Sequence, residues 1–187
     1  ITFERINMKK LLFTMMLVTS AASNSQTLDL RLGHEFPITH PISQGLELAA
    51  KTIKEESNGR ITVRLFPASQ LGTGREIMQQ VSSGTIDMAF TGAAMLGNWH
   101  KPMAVFEAPF LAESWDQFKL MLDSPVAKKL FVELETKANI SKVGDSCYTG
   151  QRHFTTRNKP IVKPEDLKGM KIRVPEVPTF IEMIRAL

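Results

Sequence analysis

Near the start of the chain a strand, a helix and a second strand follow one another within about 40 residues, the length of a βαβ unit, and this succession restricts the fold more than any other feature. Leu28, Leu30 and Leu32 alternate with Asp29 and Arg31, the period of a strand with one face covered. From Ile42 the apolar residues Ile42, Leu46, Ala49, Ala50 and Ile53 recur at helical spacing, and Asn58-Gly59 supplies the stop. The spacing predicts an amphipathic helix of about four turns. Ile61, Val63 and Leu65 then alternate with Thr62 and Arg64 into Phe66-Pro67. Two strands joined by a helix in this way run parallel, with a right-handed crossover.

The succession repeats with a loop over Ala68 to Gly74, a helix from about Arg75 to Ser83 ended by Gly84, and a strand over Thr85 to Phe90. Such alternation predicts an open α/β sheet, in which ligands bind beyond the carboxyl ends of the strands. The segments that fall there are His34 to His40, Phe66 to Gly74 and Thr91 to Gly97. Helices are expected over Ser114 to Leu122 and Ser124 to Ala138, the second with Pro125 in its first turn. Beyond Asn139 the pattern reads as strand around Ile140 to Val143, His153 to Thr156 and Met170 to Val174, so a second lobe is expected to open near residue 146. The organisation read from the chain is thus a leader over 1–22, a first α/β lobe over 23–145 and the beginning of a second lobe over 146–187.

The leader is legible in Met8-Lys9-Lys10, the apolar run Leu11 to Val18 and the small residues Thr19-Ser20-Ala21-Ala22: a basic start, a short apolar core and a cleavage site. Ile1 to Asn7 lie upstream of Met8, the expected start. Cleavage is expected after Ala22, with Ser25 as the alternative, and the run is shorter than the roughly 20 residues a membrane span needs. The mature protein is therefore expected in the periplasm and not embedded in the membrane.

The leader also accounts for much of the basic excess. The chain has 23 Lys and Arg against 19 Asp and Glu, a net charge of +4. Residues 1–22 hold Arg5, Lys9 and Lys10 against Glu4, so 20 basic and 18 acidic residues remain beyond them. No basic run interleaved with aromatics survives to follow a phosphate backbone, which argues against nucleic acid as a partner. The one cysteine, Cys147, has no second thiol for an intramolecular disulfide, so stability falls to the core.

No catalytic set is assembled in the sequence. Gly72-Thr73-Gly74 lacks the third glycine of a dinucleotide loop, Ile77 standing in its place, and neither a phosphate loop nor a Gly-x-Ser-x-Gly elbow occurs. His34, His40, His100 and His153 have no metal-binding spacing, so no metal or other cofactor is expected. Cys147 reads as a half-buried strand thiol, and Asp87 and Glu107 as solvated or capping carboxylates. A periplasmic enzyme using Cys147 or a His–Asp pair, and a sensor ectodomain for an organic acid, stay open as alternatives to a binding protein.

Two arginines stand out. Arg152 follows Tyr148-Thr149-Gly150-Gln151, and Arg173 lies in Met170-Lys171-Ile172-Arg173-Val174-Pro175, where Met170, Ile172 and Val174 face one way and Lys171 and Arg173 the other. A guanidinium near a strand exit is a rigid, permanently charged fork suited to a carboxylate.

Leu32-Gly33-His34-Glu35-Phe36-Pro37, Pro67 to Gly72, Gly84-Thr85-Ile86-Asp87-Met88, Ala108-Pro109-Phe110-Leu111 and, above all, Pro164-Glu165-Asp166-Leu167-Lys168-Gly169-Met170-Lys171-Ile172-Arg173-Val174-Pro175 resemble the extracytoplasmic solute receptors of tripartite ATP-independent periplasmic (TRAP) transporters, of the dicarboxylate-binding type. The resemblance implies a periplasmic-binding-protein-like, two-lobed α/β fold that closes on a C4-dicarboxylate or other small carboxylate and delivers it to the permease subunits of a TRAP transporter, with no enzymatic step. It implies that Arg173 binds the ligand carboxylate and that Arg152 is a second anion contact or gate. It further implies that His34, Glu35, Phe36, Gln70, Thr91, Gly92 and Ala93 line the first-lobe side. Members that take sialic acid carry a glutamate near the position of Gly92, which weighs against that ligand. The family usually runs to about three hundred residues, so a chain ending at Leu187 within an amphipathic stripe of Phe180, Ile184 and Leu187 is expected to be a fragment, its first lobe largely present and its second partial.

Overall fold

A computed structural model describes residues 27–150 and 152–187. The leader expected over residues 1–22 lies outside them. Strands β1 (Leu28–Gly33), β2 (Ile61–Phe66) and β3 (Met88–Ala89) form a parallel sheet in the order β2-β1-β3. Leu28 pairs with Ile61 and Gly33 with Phe66 on one side of β1, and Leu32 pairs with Met88 and Gly33 with Ala89 on the other. The central position of β1 brings the carboxyl ends of all three strands together. Helix α1 (Pro41–Glu56) connects β1 to β2, and α2 (Gly74–Ser82) connects β2 to β3.

The helix boundaries follow from local chemistry. His40 caps α1, its Nδ1 accepting the Ile42 amide at 3.1 Å. Asn58 and Gly59 end it with φ values of 51° and 75°, a left-handed turn that the sequence signals as a stop. Thr73 and Glu76 form a reciprocal capping box on α2, each side chain accepting the other's amide. Ser114 and Ser124 cap α3 (Trp115–Leu122) and α4 (Pro125–Ala138), and Asn139 closes α4 at a φ of 55°.

The third strand is shorter than the sequence pattern predicts. Arg31 explains why: its amide donates to the Asp87 carboxylate at 2.8 Å and its guanidinium donates to the Thr85 carbonyl. Side-chain contacts thus replace the ladder up to Asp87, and regular pairing begins at Met88, after which the Phe90 amide reaches the Gly33 carbonyl at 3.1 Å.

Most of the core lies beyond α2. Met78 of α2, Ala94, Met95, Met103 and Phe106 from two 3-10 segments (Ala93–Asn98 and Lys101–Glu107), Ala127 and Leu134 of α4, Ile140, Val177 and Phe180 form one buried cluster. Phe106 stacks on Phe131 at 5.9 Å with the rings 8° apart. Helix α2 sits so close to β1 that a Cβ on Gly33 would meet Ile77 Cγ2 at 3.0 Å.

The segments after Asn139 correct the sequence reading: 140–143, 153–156 and 170–174 are not strands, because none has a ladder partner among the described residues. The side-chain alternation survives without the ladder, with Met170, Ile172 and Val174 partly buried and Lys171 and Arg173 exposed. Helix α5 (Pro178–Ala186) follows and buries Phe180 and, partly, Met183 in the core, while Leu187 is exposed. No helix of the described residues is long and apolar enough to cross a membrane.

Candidate ligand site

Three loops meet where the parallel strands end. The loop after β1 carries His34, Glu35 and Phe36, the loop after β2 carries Gln70, and the segment after β3 carries Thr91, Gly92 and Ala93. Backbone hydrogen bonds tie the first two together: the His34 amide donates to the Phe66 carbonyl, the Ala68 amide to Phe36 and the Ser69 amide to His34. Ala68 and Ser69 hold φ values of 52° and 60°, a left-handed pair that turns the second loop back across the first. The ring of Phe36 links the first loop to the third, meeting Phe90 edge-on at 5.8 Å and His40 at 4.5 Å.

The histidine expected to line the first-lobe side is buried at the strand end. His34 is 1% exposed, and neither ring nitrogen has a hydrogen-bond partner. Burial holds its pKa below the ordinary histidine value, against the pull of Glu47 and with a further push from His40. Glu35 is exposed, its carboxylate lying where a Cβ on Gly74 would stand. Gln70 is also exposed.

Arg152 comes to this rim through a residue the sequence reading set aside. Glu107, at the end of the second 3-10 segment, accepts the Ala94 amide on Oε1 at 3.0 Å and the Arg152 guanidinium on Oε2 at 2.7 Å. Its Oε1 fills the space where a Cβ on Gly92 would stand. Gly92 is the N-cap of Ala93–Asn98 and has no side chain to satisfy that segment's first amides, so Glu107 does so from outside. The Arg152 guanidinium lies 4.7 Å from the ring centroid of Phe180, which adds a cation–π contact to the ion pair. The signal that could have identified Glu107 is its setting: a carboxylate between Phe106 and Ala108-Pro109 in an apolar run requires a cationic or amide partner.

Arg173 is exposed, and among the described residues no ion pair involves it. The structure thus gathers His34, Glu35, Phe36, Gln70, Thr91, Gly92, Ala93 and Arg152 around one strand-end rim, and among the described residues no hydrogen bond or ion pair joins Arg173 to them. Cys147 is exposed and outside any strand, contrary to the sequence reading. Partial burial of its sulfur pushes the thiol pKa up, the opposite of nucleophilic activation.

A parallel sheet whose strand ends meet in a polar rim, with an anchored guanidinium beside it, is the architecture of an α/β fold of the periplasmic-binding-protein type. Residues 32–187 match the family described as bacterial extracellular solute-binding protein, family 7, and the chain belongs to that family, the solute-binding proteins of TRAP transporters. Among its relatives, the sialic acid-binding periplasmic protein SiaP of Vibrio cholerae is 29% identical over 89% of this chain and 51% of its own length. The 2,3-diketo-L-gulonate-binding periplasmic protein YiaO of Escherichia coli is 30% identical over 91% of this chain and 51% of its own. A TRAP periplasmic solute-binding protein of Actinobacillus succinogenes, solved with bound L-galactonate, superposes with a TM-score of 0.79 at 31% identity over 84% of this chain and 52% of that one. One from a Sulfitobacter species, with bound β-D-galacturonate, gives 0.76 at 29% identity over the same shares. The fold is accordingly the two-lobed α/β type of these proteins, and the chain spans about half the length of the relatives it matches.

Proposed function

We propose that this chain belongs to an extracytoplasmic receptor that binds a small organic acid between two lobes and delivers it to a TRAP-type secondary transporter in the membrane. Lobe closure is the recognition step, and no bond is made or broken. The observation that carries this reading is the convergence of three strand-end loops on a rim beside Arg152, whose guanidinium is held in place by Glu107 and Phe180. A fixed fork of donors there suits a carboxylate. Relatives named for sialic acid and diketogulonate, and structures holding galactonate and galacturonate, support a carboxylate ligand. Arg173 is assigned as the primary carboxylate partner, with its charge carried on an exposed, irregular stretch of the 146–187 region. Gly92 in place of an acidic side chain argues against sialic acid. Export by the leader over residues 1–22 to the periplasm completes the reading.

The test is a thermal-shift and calorimetric screen of the native protein against an organic-acid library that includes aldonates, uronates and C4-dicarboxylates. A ligand raises the melting temperature through linkage. Arg173→Ala should then cost about 2 to 5 kcal/mol of binding free energy if the pair is desolvated. The reading is overturned if no acid shifts the melting temperature, or if Arg173→Ala leaves every affinity unchanged.

A further inference from the structure

Glu107 has two possible readings, and they make different demands. As a structural cap it needs only an acceptor oxygen for the Ala94 amide, which one of its oxygens provides. The other oxygen is committed to Arg152 at 2.7 Å, and the Glu107 side chain is 18% exposed while that of Arg152 is 61% exposed. A largely buried carboxylate thus spends a full negative charge on an arginine that faces the rim. Capping alone does not require this, because a neutral amide side chain would accept the Ala94 hydrogen bond equally well.

The consequence is electrostatic. Of the two arginines assigned to the ligand, Arg152 is already neutralised by an internal carboxylate and fixed on Phe180. Arg173 is exposed and, among the described residues, in no ion pair. We infer that Glu107 is a positioning and specificity-determining residue: by compensating Arg152 it leaves Arg173, among the described residues, as the uncompensated member of the two assigned arginines, and it selects acids with a single carboxylate over dicarboxylates. Arg152 still offers its remaining N–H donors, which suit a hydroxyl or carbonyl oxygen of a polyhydroxy acid. A second ligand carboxylate placed there meets the Glu107 charge, a repulsive element of the kind that separates close analogues. The inference rests on the proposed receptor function and specifies its ligand class.

Gly92 is part of the same device. Its φ of −71° suits any residue, so its lack of a side chain is a matter of space, which Glu107 Oε1 fills.

The experiment measures, on the native protein, the affinities of galactonate and malate by calorimetry, and their ratio is the readout. Galactonate should bind the wild type more tightly. Glu107→Gln keeps the cap acceptor and removes the charge, and should move the ratio about five- to tenfold toward malate, the scale of one partly exposed charge contact. Adding Arg152→Gln to Glu107→Gln should abolish the shift, which a merely structural cap would not do. Should Glu107→Gln fold poorly, Gly92→Ala displaces the flexible Glu107 carboxylate without deleting it and should move the ratio in the same direction by less. An unchanged ratio in a variant that still binds galactonate overturns the inference and leaves the receptor reading standing. A wild type that prefers malate also overturns it. A wild type that binds no acid of the wider library overturns the receptor reading instead.

Discussion

His34 shows how one side chain can be legible in the sequence for the wrong reason. Its place just after β1 marked it as a residue of the ligand rim, and the structure does put it at the strand end, yet buried with both nitrogens unpartnered. Sequence spacing fixes where a residue falls along a strand but not which side of the loop its ring takes. The burial has a measurable cost. The folded pKa lies below the ordinary value, so the unfolded chain binds the proton first as the pH falls. Stability from this residue is complete above about pH 6.5 and declines as the pH drops through the lower folded value. His34→Gln should therefore lose less stability than the wild type between pH 7.5 and pH 5 in urea titrations, with His40 and the other histidines common to both proteins. Equal losses would show that His34 is not the group responsible. Glu107 is the opposite case, since the sequence alone gave it a bland role and only the approach of Arg152 across 45 positions reveals the partner.

At the level of elements, caps were the most readable feature. Asn58-Gly59, Ser114, Ser124 with Pro125, and Gly84 stand where the helices begin or end, because a cap is satisfied by atoms within a few residues. Thr73→Ala removes half of the α2 capping box and should cost about 1 kcal/mol by denaturant melts, while Thr73→Ser should restore most of it. Strands were less readable, because a strand is defined by its neighbour. Thr85 to Phe90 has the composition of a full strand, but Arg31 takes up Thr85 and Asp87 before the ladder can, and 170–174 keeps its alternation with no strand beside it. In the core, Leu134 of α4 is 1% exposed and part of the buried cluster. Leu134→Ala should cost about 2 to 5 kcal/mol, mostly as a cavity, with ligand-free melting as the readout.

Across the whole molecule, order is distributed unevenly. The β1–β2 ladder is hydrogen-bonded, with Leu32 and Gly33 buried at its end, and the cluster around Met103 and Leu134 is buried, whereas residues 152–160 are exposed and outside regular structure. Hydrogen exchange should therefore be slow in Leu30 to Gly33 and in the second half of α4, and fast through 152–160. Comparable protection in 152–160 and α4 would contradict that division. The α/β architecture and the strand-end loops were legible because they are written in local periodicity, and Arg152 was legible by resemblance, while the Glu107 carboxylate that holds it depends on contacts between distant stretches of chain. One such contact constrains the family's variation as well. Glu107 Oε1 and a Cβ at position 92 claim the same space, so a side chain at 92 obliges the Glu107 carboxylate to move. In relatives that bear a long residue at position 92, the residue at position 107 should be short, and an alignment in which the two positions vary without regard to each other would contradict this.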